Sequence, residues 1–251
     1  MKPFVIAEFA SCHMGSLEKA LEGIAVAHSA GANAWKTQYW SSPERMRSRR
    51  HIGGDAYTQG SVPAEWHATL KKECHDRGLL YSASVFLPED VETLAPHVDY
   101  WKVSSFEARD RELTRAIPKD ARTLFISTGM QGAHDDTYLP KRGIRLHCVS
   151  AYPCPPYEAN LGAIVRGQGY SDHTRCVFTG AFAVSAGADY LEVHYRLDDT
   201  PADCPDYVVA LEPDGLQKYI ALAREAAKMR GEGRKVVQLS ELGSLPHRVT
   251  S

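Results

Sequence analysis

Phe4-Val5-Ile6-Ala7, then Leu17, Leu21, Ile24 and His28 closed by Gly31, then Ala34-Trp35-Lys36-Thr37-Gln38: these residues decide the fold. The two short apolar, β-branched or aromatic runs read as strands. The spacing of three and four between them reads as one helical face, and the glycine ends it. Outward from this unit the same alternation repeats. Further strands are predicted at Leu79-Leu80-Tyr81-Ser82-Ala83, Val98-Asp99-Tyr100-Trp101-Lys102-Val103, Thr123-Leu124-Phe125-Ile126-Ser127, residues 144–149, 169–172, and Tyr190-Leu191-Glu192-Val193. Helical patterns follow at Trp66, Leu70 and Cys74, at residues 89–95, 109–117, 159–165 and 176–186, and at Leu216, Tyr219, Ile220, Ala223 and Ala227. Residues 129–142 are polar, contain Pro140 and lack apolar periodicity, so the fifth helix is predicted short or absent. Eight strands in this rhythm predict a single (β/α)8 TIM barrel of the α/β class. A doubly wound open sheet is the alternative. It would favour a glycine-rich phosphate loop after the first strand, and Ala10-Ser11-Cys12-His13-Met14-Gly15 is not one. Residues 39–63, with Arg45, Arg47, Arg49 and Arg50, are too long for an ordinary connection and read as a functional loop or lid.

Composition bounds the function. The 251 residues are 43% hydrophobic and 24% charged, with a formal net charge of −2. No large basic surface for nucleic acid is expected. No apolar run approaches the ~20 residues of a membrane span, and Glu8 comes too early for a signal peptide. Six cysteines without a CxxC pair then suggest free thiols and a cytoplasmic protein.

A barrel carries its active site at the C-terminal ends of its strands. Polar residues expected there are Glu8 and His13 after strand 1, Lys36 and Gln38 on strand 2, and Ser84 after strand 3. Strand 4 supplies Lys102, Ser105 and Glu107; strand 5 ends at Ser127; strand 6 carries His147 and leads to Ser150 and Tyr152. Strand 7 leads into Ser171-Asp172-His173, and strand 8 ends at His194. Two buried lysines at matching places are costly unless an anion meets them. With serine hydroxyls as further donors, Lys36 and Lys102 read as a phosphate or carboxylate cradle; the plainer reading pairs them with Glu8 and Glu107. His173 and His194 close neighbouring strands and suit one divalent ion, or else are two hydrogen-bonded interior histidines. His13 and His147 are further ligands, substrate contacts or packing residues. Glu107 is a candidate acid or base, or a charge at a helix N-terminus. Cys12 and Cys148 read as buried small apolar side chains, since no base stands beside either in sequence.

Several longer words occur in order: Val5-Ile6-Ala7-Glu8, Ala34-Trp35-Lys36-Thr37-Gln38, Ser127-Thr128-Gly129-Met130, Leu146-His147-Cys148-Val149-Ser150-Ala151-Tyr152-Pro153, Gly169-Tyr170-Ser171-Asp172-His173-Thr174 and Leu211-Glu212-Pro213. In these the chain resembles the sialic acid (N-acetylneuraminate) synthase family, from the first strand to the last helix. The resemblance implies a transferase of carbohydrate biosynthesis that condenses phosphoenolpyruvate with a sugar aldehyde, giving a 2-keto-3-deoxy sugar acid and phosphate. It implies Mn2+ or Mg2+ on His173 and His194, and phosphoenolpyruvate on Lys36, Ser84, Lys102, Ser105, Ser127 and Ser171. It implies Glu8, Lys102 and Glu107 as catalytic residues, and sugar contacts from Gln38, Ser150, Tyr152 and Asp206. The partners expected are these two small molecules, with a homo-oligomer left open.

The chain departs from that family at several places. Phe106 stands for the usual Gly before the catalytic Glu, Cys12-His13-Met14-Gly15 for Asn-His-Asn-Gly, Ser150 for Asn and Ser84 for Thr. Family members usually continue into a C-terminal antifreeze-like (SAF) domain that supplies an arginine to the sugar site. Here the expectation is a barrel over residues 1–235 and a tail over 236–251 without that domain. The Arg45–Arg50 group is either a substitute for that arginine or a solvated basic loop. Two other functions stay open: a metal-dependent aldolase or lyase acting on another 2-keto acid, and a catalytically silent barrel kept as a binding scaffold.

Overall fold

The computed structural model describes residues 2–50, 60–132 and 139–249. Its parallel strands are β1 (Phe4–Glu8), β2 (Ala34–Tyr39), β3 (Leu80–Val85), β4 (Trp101–Val103), β5 (Leu124–Ser127), β6 (Ile144–His147), β7 (Gly169–Asp172) and β8 (Tyr190–His194). They hydrogen-bond in sequence order, and β8 closes the barrel on β1 in register from Phe4↔Tyr190 to Glu8↔His194. The predicted TIM barrel is therefore the observed one.

Side chains alternate across a strand, and that parity sorts the barrel into inside and outside. Inward at the N-terminal end, Ile6, Ala34, Tyr100, Phe125 and Leu146 form an apolar plug, with Phe4, Ile144 and Tyr190 against it. Two residues further along their strands the same face carries Glu8, Lys36, Lys102, Ser127 and Glu192, all buried. The plug closes the floor, and the charged layer rests on it.

Outward-facing Val5, Ala7, Trp35, Tyr81, Leu191 and Val193 are buried under the helical layer. Each large side chain so buried contributes about 1.5–3 kcal/mol. The Trp35 indole donates to the Tyr195 hydroxyl at 2.8 Å, and that hydroxyl donates to the Gly23 carbonyl at 2.6 Å, tying β2 to helix α1 (Leu17–Ala30). Ser16 caps that helix by accepting from the Lys19 N–H, and Gly31 ends it at φ 89°. At Gly23 a β-carbon would stand 2.9 Å from the Phe9 ring, so the ring or the helix would have to shift to admit one.

The remaining helices are α2 (Pro43–Arg50), α3 (His67–Asp76), α4 (Asp90–Leu94), α5 (Arg111–Ala116), α6 (Thr179–Ala186) and α7 (Pro213–Arg230). Three expectations need correction. The first part of the long polar connection is the helix α2, anchored by buried Met46 in a cluster with Trp40, Phe86 and Leu87; residues 51–59 lie outside the described residues. The helix expected over 159–165 is replaced by two 3-10 turns, Pro156–Glu158 and Leu161–Ala163. Pro155 and Pro156 lack amide donors, and Asn160 takes a left-handed conformation (φ 46°), so no α-helical ladder propagates. The seventh helix begins at Thr179 rather than Cys176. Of the predicted fifth-helix gap, residues 133–138 lie outside the described residues, and the described flanks carry no helix.

Past α7 the chain is exposed, with a 3-10 helix at Leu239–His247. No described helix is long and apolar enough to cross a membrane.

Candidate active site

A cavity of about 270 Å³ opens at the C-terminal ends of the strands. Lys36, Ser84, Lys102, Ser105, Ser127 and Ser171, the six predicted anion contacts, all line it. Strand register explains the convergence, because Gln38 pairs with Ser84 and Ser84 with Lys102 across three neighbouring strands. The Lys36 ammonium donates to Ser84 Oγ at 2.6 Å, and the Lys102 ammonium donates to Ser127 Oγ at 2.9 Å. Each cation is thus already tied to a hydroxyl that also faces the cavity.

Both lysines are 2% exposed. Such cations are uncompensated unless a carboxylate stands by. Two do: Glu8 contacts Lys36 directly, while Glu192 lies 3.6 Å from Lys36 and 3.3 Å from Lys102. Ser171 donates to Glu192 at 2.8 Å. Burial raises the Glu192 carboxyl, but the two lysines and the Ser171 hydroxyl outweigh it and hold it down to about 2. Burial lowers Lys36 to about 7, with Lys102 pushing the same way and Glu192 opposing.

Glu192 is the central residue that the strand-end survey missed. The signal was present: it lies two residues before His194 on the same strand, and parity puts both on the inner face. The plainer sequence reading had the lysines paired with Glu8 and Glu107. The pairs found are with Glu8 and Glu192.

His173 and His194 lie on the other side of the mouth, their ring centroids 5.5 Å apart, and both line the cavity. The His173 Nδ1–H donates to the Val149 carbonyl at 2.8 Å when the ring is neutral, which leaves its Nε2 lone pair unprotonated. Burial, then His194, lowers His173 to about 3, and burial lowers His194 against the opposing pull of Asp206 and Glu192. Two neutral imidazoles with one tautomer set by a backbone carbonyl fit a divalent ion. Among the described residues no third His, Cys, Asp or Glu joins them as a preformed ligand group, so any remaining coordination positions would be open.

Of the predicted sugar contacts, Gln38, Tyr152 and Asp206 line this cavity. The Tyr152 ring lies tilted against His173 with centroids 4.2 Å apart, and Asp206 Oδ1 stands 3.5 Å from His194 Nδ1. Ser150 does not join them. It lines a separate, larger cavity of about 950 Å³ against the outer side of β6, with Arg145 and His147. That groove exists where the 3-10 turns replace a helix, and it contains neither lysine, so size alone does not find the chemistry. Gly129 lies against residues of both linings. A β-carbon there would press on Ser150 Oγ and come within 2.9 Å of Ser105 Oγ, which the Gly129 N–H meets at 3.0 Å.

Glu107 is buried but not part of the lining; it accepts the hydroxyl of Ser104, which is. His13 and His147 are not brought to the mouth lining. The Gly15 N–H donates to His13 Nδ1 at 3.0 Å within a turn, and His147 Nε2 bonds the Ala159 carbonyl at 2.9 Å. Three arginines of α2 are engaged in ion pairs, Arg45 with Glu89, Arg47 with Glu44 and Arg49 with Asp110; the side chain of Arg50 lies outside the described residues.

Fold and mouth together define a TIM-barrel enzyme for an anionic substrate, with an imidazole pair beside the anion cradle. The chain belongs to the NeuB family, whose model matches residues 23–235. It is 30% identical to the pseudaminic acid synthase of Campylobacter jejuni subsp. jejuni, over 93% of this chain and 76% of that protein. It is 28% identical to the N-acetylneuraminate-9-phosphate synthase of Homo sapiens, over 92% of this chain and 72% of that protein. Among solved structures it resembles the N-acetylneuraminic acid synthetase of Leptospira borgpetersenii, crystallised with citrate, at a TM-score of 0.88 and 27% identity, covering 99% of this chain and 92% of that one. The chain is thus an enzyme of the sugar-acid synthase type.

Proposed function

We propose that the chain condenses phosphoenolpyruvate with a sugar aldehyde to give a 2-keto-3-deoxy sugar acid and inorganic phosphate. The observation that carries this reading is the pair of buried lysines, each hydrogen-bonded to a serine, facing one cavity across Glu192. A small dianion or trianion satisfies that arrangement, and phosphoenolpyruvate carries both a phosphate and a carboxylate. Lys36 and Lys102 neutralise it, and Ser84, Ser105, Ser127 and Ser171 complete the cradle as donors.

His173 and His194 would hold Mn2+ or Mg2+. The bound ion supplies Lewis acidity toward the aldehyde. Gln38, Tyr152 and Asp206 orient the sugar so that its aldehyde carbon meets carbon 3 of phosphoenolpyruvate. The double-bond pair of phosphoenolpyruvate forms the new C–C bond, and the aldehyde oxygen takes up a proton. Water adds at carbon 2, the resulting tetrahedral centre expels phosphate, and the ketone forms.

Glu192 is engaged by both lysines and by the Ser171 hydroxyl. It holds the lysine charges in place. Glu107, joined to the cavity through Ser104, is assigned as the base. The testing experiment is a phosphate-release screen of aldoses with phosphoenolpyruvate and Mn2+. Phosphate released in step with a keto acid supports the reading. Cleavage of a keto acid without phosphoenolpyruvate would show an aldolase, and binding without any turnover a silent scaffold. Glu107→Gln is expected to retain phosphoenolpyruvate binding and lose turnover; equal loss of both makes Glu107 structural.

A further inference from the structure

Cys12 lies in the loop after β1 and Cys204 in the segment after β8, 192 residues apart in sequence. Their sulfurs are 3.6 Å apart and share a hydrogen bond, and the residues are 2% and 3% exposed. Ser11 ties the same two segments a second time. Its hydroxyl touches Cys204 Sγ at 3.6 Å and donates to the Asp206 carboxylate, and its N–H donates to Asp206 Oδ2 at 3.1 Å. Asp206 in turn lines the mouth beside His194 and Gln38. The other four cysteines make no sulfur–sulfur hydrogen bond among the described residues.

We infer that Cys12 and Cys204 form a redox-modification site, which a two-electron oxidant of the peroxide class converts to a disulfide that weakens the sugar-aldehyde side of the mouth. The effect on the sugar rests on the proposed condensation; the disulfide does not. The chemistry balances. The Cys204 thiolate attacks the peroxide O–O bond, becomes a sulfenic acid and releases hydroxide, which leaves as water with the Cys204 proton. Cys12 sulfur then displaces the second oxygen, which departs as water with the Cys12 proton. Two thiols give up two electrons, and one peroxide becomes two waters.

The two thiols are shifted in opposite directions. Cys12 beside it, as hydrogen-bond partner, holds the Cys204 thiol down to about 7 against burial, with Ser11 helping. The Cys12 thiol is pushed up by the same bond and by burial. Attack by Cys204 with Cys12 resolving gives the same disulfide as the reverse order, because the two sulfurs share one contact.

A disulfide needs its sulfurs about 2 Å apart, so the segments must close by about 1.5 Å from the 3.6 Å seen. Gln38 and His194 sit on strands and stay. Asp206, two residues from Cys204, is carried with the moving segment. Misplacement of a positioning group by about 1 Å can cost up to about 100-fold. The phosphoenolpyruvate cradle, on β2 to β5 and at Ser171 on β7, shares no residue with either segment.

The test treats the full chain with hydrogen peroxide and digests it without reduction. The expected result is a linked Cys12–Cys204 peptide lacking two hydrogens, a raised melting temperature, and a KM for the aldose raised about tenfold or more. Phosphoenolpyruvate affinity stays unchanged, and dithiothreitol reverses every effect. Cys204→Ser and Cys12→Ser proteins, active when reduced, are expected to be insensitive to peroxide. Absence of the linked peptide overturns the site, and a linked protein with an unchanged aldose KM overturns the coupling. If the reduced protein turns over no aldose at all, the condensation reading fails instead. The thiol pair is then decided by the linked peptide and the melting shift alone.

Discussion

The two sides of the barrel mouth handle burial in opposite ways. On β2 to β5 the groups are ionic pairs: Lys36 and Lys102 are offset by Glu8 and Glu192 and tied to serine hydroxyls. On β7, β8 and the loops beyond them, His173 and His194 stay neutral, kept so by burial and, for His173, by a backbone carbonyl. The difference teaches how one small cavity can serve two partners. The charged side offers donors and a cationic field for an anion, strongest while Lys36 is protonated. The neutral side offers lone pairs, which a cation or an aldehyde-binding ion requires. Glu192 is the hinge of the contrast, since it pairs with both lysines and lies on the strand that ends at His194.

The largest way to break the contrast is Glu192→Gln. Removing one partner from a buried charge cluster costs about 3–5 kcal/mol. Thermal unfolding is expected to fall accordingly, with turnover lost; an unchanged melting temperature would mean that Glu8 alone neutralises both lysines. Next comes His173→Ala on the neutral side. Outer-shell losses at metal sites cost about 10–100-fold, so losing a ligand is expected to weaken Mn2+ binding by about 100-fold or more. Calorimetry should show that loss with phosphoenolpyruvate binding retained. Equal loss of both would erase the division between the two sides.

The charged side has a pH signature of definite sign. Lys36 is lowered to about 7, so it is protonated below that value and neutral above it. A bound anion favours the charged form. Affinity for phosphoenolpyruvate is therefore complete below about pH 7 and declines as pH rises, by at most about tenfold per unit. The phosphate itself, with a second pKa of about 6, is constant in charge across most of that range. Titration of binding from pH 7.5 to 9 checks this, and Lys36→Met should give a flat, weaker profile. The smallest expected effect is Arg45→Ala. Its ion pair with Glu89 is exposed, and such pairs contribute about 0–1 kcal/mol. Turnover within about twofold of the parent is expected; a collapse of the aldose KM would make α2 part of the sugar site.

Much of the fold is legible along the chain, because strand and helix periodicities are local properties. Lys36, Ser84, Lys102, Ser105, Ser127 and Ser171 stand out as polar residues on or just after the strands, and their assignment together to one anion comes from the family resemblance. Errors arose where periodicity was silent. Among its described side chains helix α2 has only Met46 as a buried anchor, and its signal is the helix propensity of Arg, Glu and Met after Pro43. Ser150 follows β6 and lines the neighbouring cavity on the outer side of that strand. Glu192 was hidden by its position inside an apolar strand, where a carboxylate reads as an interruption.

By itself the sequence determined which face of each strand a residue occupies, since the two-residue repeat is set by the backbone alone. It thereby determined a barrel with Lys36, Lys102, Glu8 and Glu192 on the inner face. Only the tertiary structure decided which of those residues meet. Closure of β8 on β1 sets Glu8 beside His194 and Cys12 against Cys204. Such contacts depend on a register accumulated around eight strands, which no local window of sequence contains.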